Sequence, residues 1–110
     1  MAATRVTEAE SALMEALWRL GPLPPARLID EVKAVRPWGR ATIKTLLSRL
    51  MHKGAVRSQR EDGTLRYHPL IERKDYVESE VLAMVDRLFD GDPAALAAFL
   101  KRRDQNATEA

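Results

Sequence analysis

The chain has no cysteine among its 110 residues. That absence excludes disulfides, thiolate metal sites and cysteine nucleophiles, and leaves nothing that requires an oxidising compartment. Long hydrophobic runs are missing as well: the longest, residues 94–100, falls far below the roughly 18 residues a membrane-spanning helix needs. Residues 1–7 contain no apolar signal segment, so the cytoplasm is the expected location. Nucleophile-elbow, glycine-rich phosphate-loop and metal-binding spacings are also absent. No catalytic residue and no cofactor is therefore expected. His52 and His68 have only Glu61 and Asp62 as neighbouring carboxylates, both at a turn, and this pattern is not read as a metal site.

Apolar residues make up 45% and charged residues 31% of the chain, the balance of a globular protein with a core. The length suits one folded unit plus an arm. A net charge of +2 hides an uneven division: residues 1–32 carry −2, residues 33–74 carry +8 and residues 75–110 carry −4. A basic block between acidic flanks is the electrostatic footprint of a nucleic-acid-binding face.

Periodicity divides the chain into elements. Thr7 and Glu10 form a capping box, and Ala9, Leu13, Ala16, Leu17 and Leu20 keep helical spacing until Gly21-Pro22, predicting a helix over 8–20. Pro24-Pro25 opens a second helix, 25–35, with Leu28, Ile29 and Val32 on its apolar stripe and Pro37 beyond it. A third helix starts at Gly39 or Arg40 and runs to Lys53, with Gly54 placed as its terminator. The period then changes to two, and Asp62-Gly63 predicts a hairpin over 55–68. A long helix over 72–89 follows, then the breaker Asp90-Gly91-Asp92-Pro93 and a last short helix bearing Leu96, Phe99 and Leu100. Residues 101–110 read as frayed. The expected fold is mainly α with a small β-hairpin: a winged helix-turn-helix domain over 1–70, a helical dimerisation arm over 71–104 and a flexible tail over 105–110.

On the third helix, Ile43, Leu46, Leu47 and Leu50 share one arc and should face the core. The opposite side holds Ala41, Thr45, Ser48 and His52, with Lys44 on one shoulder and Thr42 and Arg49 on the other. Short or hydrogen-bonding side chains flanked by cations suit base edges and phosphates, and the helix has no acidic residue. The candidate DNA contacts are Arg40, Thr42, Lys44, Thr45, Ser48 and Arg49 there, and Arg60, Thr64 and Arg66 in the wing. Centring the turn on Asp62-Gly63 pairs Gln59 with Arg66 and Arg57 with His68 on a polar face, leaving Val56, Leu65 and Tyr67 to pack on the helices. Trp18 and Trp38 are read as packing residues.

The long helix carries Val77, Val81, Met84, Val85 and Leu88 on one stripe, more apolar surface than a small winged domain can cover. Together with Tyr76, Leu96 and Phe99 these residues form the candidate homodimer seam, which would set two recognition helices in successive major grooves. The alternative is an arm folded back on its own domain. The alternative function is a winged interaction module whose basic face binds an acidic protein partner.

Particular stretches also resemble a known family. Thr7-Glu8-Ala9-Glu10, Met14 and Leu17-Trp18, the run from Trp38 to Leu50, Lys53-Gly54-Ala55, Tyr67-His68-Pro69-Leu70 and Asp86-Arg87-Leu88-Phe89-Asp90-Gly91 are similar to the penicillinase repressors. That family includes the methicillin-resistance and copper-responsive repressors. The resemblance extends to about Leu100. It implies a dimeric winged-helix repressor of palindromic operators built from TACA and TGTA half-sites. By motif position it also implies that Thr42, Lys44, Thr45 and Arg49 meet double-stranded DNA. Arg40 stands where the family often has Pro. The copper-responsive members carry a C-terminal cysteine cluster that this chain lacks. The β-lactam-responsive members are cleaved between Asn and Phe after signalling by a membrane sensor metalloprotease, the further partner the resemblance implies. The corresponding bond here is Ala98–Phe99.

Overall fold

The computed structural model describes residues 5–109, with side chains to residue 106. Residues 1–4, where a signal segment was sought, and Ala110, the end of the expected tail, lie outside the described residues. The elements are α1 (Glu8–Leu20), α2 (Pro25–Lys33), α3 (Arg40–His52), β1 (Val56–Glu61), β2 (Thr64–Pro69), α4 (Arg73–Leu88) and α5 (Pro93–Glu109). They divide into two units, Met1–Arg73 and Lys74–Ala110.

The first unit is built on local signals that agree with one another. Thr7 Oγ1 accepts from the Glu10 amide at 3.2 Å, and Glu10 Oε1 accepts from the Thr7 amide at 2.9 Å, completing the capping box of α1. Pro25 occupies the first turn of α2, where its missing N–H costs no intrahelical bond. This helix ends at Lys33, two residues before the expected boundary, and residues 34–35 form a turn. α3 stops at Gly54, whose φ of +80° suits a residue without Cβ. The amide of Ala55 then donates to Leu50 O and that of Gly54 to Met51 O, the paired bonds of a Schellman terminus.

The two strands form an antiparallel hairpin in the register Arg57↔His68, Gln59↔Arg66 and Glu61↔Thr64. Asp62 and Gly63, at φ +50° and +79°, supply the two left-handed residues of a tight primed turn. One element was not expected. Leu23, between α1 and α2, forms a bridge with Tyr67 through reciprocal backbone bonds of 3.3 and 2.8 Å, tying the hairpin to the helices.

The core lies where α1 packs against α2, α3 and β2. Leu13, Met14, Leu17, Leu28, Val32, Ile43, Leu50 and Val56 are fully buried there. Each such side chain contributes about 1.5 to 3 kcal/mol on leaving water, so the apolar stripes of three short helices hold the unit together. Glu31 on α2 bridges to Arg27 and to Arg19 of α1, and these guanidinium groups hold its carboxyl below the usual carboxylate range. Trp18 does more than pack: its indole N–H donates to Ile71 O at 2.7 Å. Arg73, which opens α4, pairs with Glu15 of α1 at 3.1 Å.

In the second unit, α4 turns through Asp90 and Gly91 into α5, and Asp92 Oδ1 accepts from the Ala94 amide to cap the new helix. The Phe89 and Phe99 rings pack with centroids 6.1 Å apart. The last helix is not short. It runs to Glu109 through the segment expected to fray, because residues 94–109 contain neither glycine nor proline to stop it.

Candidate nucleic-acid interface

α3 is two-sided, as its 3.6-residue period requires. Ile43, Leu46, Leu47 and Leu50 are buried, whereas Arg40, Ala41, Thr42, Lys44, Thr45, Ser48, Arg49 and His52 are exposed. The six candidate contacts of this helix therefore all lie on its solvent side. Arg40, Lys44 and Arg49 pair with no carboxylate among the described residues. Thr45 Oγ1 donates to Ala41 O at 3.0 Å, so towards a base it offers a lone pair and a methyl group. At the start of the helix, Gly39 supplies no side-chain cap. Its first-turn amides are left to solvent or an anion.

The C-terminal end of α3 is anchored by an ion pair. Lys53 Nζ donates to Glu10 Oε1 at 2.6 Å and to Arg5 O at 2.9 Å, and Glu10 is only 1% exposed. Burial pushes the Glu10 carboxyl up, but the hydrogen bonds from Lys53 and from Thr7 outweigh it and hold the group below the ordinary value of 4.5. The cation of Lys53 thus belongs to the fold. Beside this pair an open cleft of about 430 Å³ is lined by Thr7, Glu10, Ser48, Arg49, His52 and Lys53.

The wing is less simple than its sequence suggests. Strand alternation puts Arg57, Gln59, Glu61, Thr64, Arg66 and His68 on one face, and Val56, Ser58, Arg60, Leu65 and Tyr67 on the other. Of the three candidate wing contacts, Thr64 and Arg66 share a face and Arg60 does not. Glu61 Oε1 lies 2.6 Å from His68 Nε2, and its other oxygen lies 4.0 Å from Arg66 Nε. Arg57 donates to Gln59, and Arg60 donates to Gly63 O at 3.2 Å. Arg57 stands exposed beside Arg66 but was not among the candidate contacts, although the same alternation that selected Arg66 points to it. Arg36 also escaped notice. It pairs with Glu8 at 2.8 Å and lies over the Trp38 ring, 5.3 Å from its centroid.

On the arm, Val77, Val81 and Leu88 are exposed, as is Phe99, while Tyr76, Met84 and Leu96 are half-buried. Val85 differs from the rest of the candidate seam. It is 2% exposed within the single chain and has no surface left for a second copy. Ala98–Phe99 lies in the interior of α5. Among the described residues no helix is long and apolar enough to cross a membrane.

Three packed helices, a third helix with an exposed cationic face free of carboxylates, and a two-stranded hairpin after it define a winged-helix DNA-binding protein. The family model described as penicillinase repressor matches residues 6–110, and the chain belongs to that family, which comprises DNA-binding transcriptional repressors and not enzymes. It is 27% identical over 105 residues to the penicillinase repressor of Bacillus licheniformis, covering 96% of this chain and 82% of that one. Over 105 residues it is 32% identical to the transcriptional regulator BlaI of Mycobacterium tuberculosis, with 90% and 74% covered. The solution structure of monomeric B. licheniformis BlaI in complex with the blaP half-operator matches at a TM-score of 0.62 and 30% identity, covering 69% of this chain and 94% of that one.

Proposed function

We propose that this protein is a homodimeric repressor that occludes a promoter by binding a palindromic operator of the TACA/TGTA type, with α3 in the major groove. The observation that carries the proposal is the α3 face, where Arg40, Lys44 and Arg49 flank Thr42, Thr45 and Ser48 with no carboxylate among them. A helix about 10 to 12 Å across fits a major groove about 12 Å wide. The BlaI structure with a half-operator supports the same use of the fold. Two copies joined through Val77, Val81, Leu88 and their neighbours would present two such helices, matching a two-fold operator. Inactivation by a membrane sensor metalloprotease at Ala98–Phe99 would require local unwinding, since that bond is mid-helix. Cutting there would detach Phe99 and its contact with Phe89.

A salt-dependent titration against operator and scrambled duplexes tests this reading. Three unpaired cations per protomer should give a log-log salt slope of about −2.7 per half-site from α3 alone. Arg49→Ala should flatten that slope by about one unit if the guanidinium meets phosphate. If it reads guanine, the loss should be about 1 to 3 kcal/mol per half-site, confined to the operator. Equal affinity of wild type and variant for both duplexes at every salt concentration would remove α3 from the DNA and leave an acidic protein as the better partner.

A further inference from the structure

The cations of the wing differ from those of α3 in that their contacts tie them to the hairpin itself. Arg57 donates to Gln59 and Arg60 to the turn carbonyl of Gly63. Arg66 and His68 share a single carboxylate, Glu61. Strand register makes Glu61 the one acidic residue on the polar face, among Arg57, Gln59, Thr64, Arg66 and His68. This face points the charge of Arg66 at an internal anion before any DNA arrives.

We infer that Glu61 is an electrostatic brake on the wing, withholding Arg66 from the DNA backbone and leaving affinity to α3. The inference rests on the DNA-binding reading above and adds a residue that restrains it. Both partners are more than a third exposed, so their pair is weak and exchangeable with solvent ions. When a phosphate approaches, Arg66 either leaves Glu61 or divides its donors between the two anions, and in both cases the carboxylate faces a like charge. The exchange gains little, whereas an uncommitted arginine would gain a full phosphate contact and its released counterion. The wing is held to a weak backbone contact by one residue at its tip.

The test is Glu61→Gln in the full-length protein, titrated against operator and scrambled duplexes over a salt series. Binding to both duplexes should tighten by about three- to tenfold at low salt, with the salt slope steeper by up to about 0.9 per half-site. Adding Arg66→Ala to that variant should abolish the gain. Arg66→Ala alone, in a protein whose Glu61 is intact, should change affinity less than twofold. That variant decides the matter even if Gln at 61 loosens the hairpin. A Glu61→Gln protein that melts as wild type yet binds no tighter, a gain that survives loss of Arg66, or an Arg66→Ala loss as large as that of Arg49→Ala would each overturn the brake while leaving the DNA reading intact. A wild type that binds neither duplex would overturn both.

Discussion

Leu50 on α3 and Leu88 on α4 each sit on the apolar stripe of an amphipathic helix, yet Leu50 has no exposed surface and Leu88 is 58% exposed. The contrast holds across the two units. In the first, the stripes of α1, α2 and α3 cover one another and take Leu13, Met14, Leu17, Leu28, Ile43 and Leu50 out of water, although Val35 and Leu70 outside those stripes stay exposed. In the second, Val81, Leu82, Leu88 and Phe99 stay 39 to 58% exposed. One unit completes its core within a single chain. The other keeps exposed apolar side chains that a second copy would cover in the proposed dimer.

The largest expected effect separates the two leucines directly. Leu50→Ala should destabilise the winged unit by about 2 to 5 kcal/mol, because a buried side chain leaves a cavity in a close-packed interior. Leu88→Ala should leave the unfolding free energy of that unit within about 0.5 kcal/mol of wild type. Urea melts followed by tryptophan emission measure both. Equal losses would mean that the arm is part of the same core.

A smaller effect tests what anchors the C-terminal end of α3. Glu10→Gln removes the charge that Lys53 meets beside the core and should cost about 2 to 3 kcal/mol, less than the roughly 3 to 5 kcal/mol of a fully buried pair because Lys53 is partly exposed. The same pair makes stability pH-dependent. The folded-state carboxyl lies below 4.5, so its contribution is fully present above that value and is lost as pH falls through the depressed folded value. Wild type should therefore weaken on acidification below about pH 4.5 by more than Glu10→Gln does. Parallel acid-dependent slopes for the two proteins would remove Glu10 as the cause.

The smallest effect lies on the arm. Val81→Asp puts a charge on the exposed stripe of the proposed seam and should weaken self-association by at least about tenfold, or 1.4 kcal/mol, without moving the melt of the winged unit. Sedimentation at micromolar concentrations reads it. Wild type and variant sedimenting alike, whether as dimers or as monomers, would show that Val81 is not in a seam.

The winged unit was legible in the sequence because its signals are local. A capping box, proline at a helix start, glycine after a helix end and Asp-Gly between alternating strands each specify backbone geometry within a few residues. The exposed face of α3 followed from the same period that buries Ile43 and Leu50. What escaped the sequence depends on residues far apart along the chain. The Leu23–Tyr67 bridge is a single rung with no periodic trace. Lys53 counted as one more cation of a basic block, and only its approach to Glu10, 43 residues earlier, shows that its charge serves the fold. Alternation placed Arg66 on the polar face of the hairpin but could not show its approach to Glu61, 4.0 Å away. Along the arm the apolar stripe was plain, yet a stripe does not reveal which member, here Val85, is already covered.

The two tryptophans serve as built-in optical reporters. The Trp18 indole is hydrogen-bonded to Ile71, two residues before α4 begins. The Trp38 ring lies beneath the Arg36 guanidinium, one residue before the cap of α3. Their emission therefore monitors two different places, the root of the arm and the entrance to the recognition helix. Replacing one tryptophan at a time with phenylalanine yields a chain with a single tryptophan at a chosen end, excited selectively over Tyr67 and Tyr76. Titrating DNA into the Trp38 form and diluting the Trp18 form would then follow operator docking and arm rearrangement as separate signals, without an attached dye.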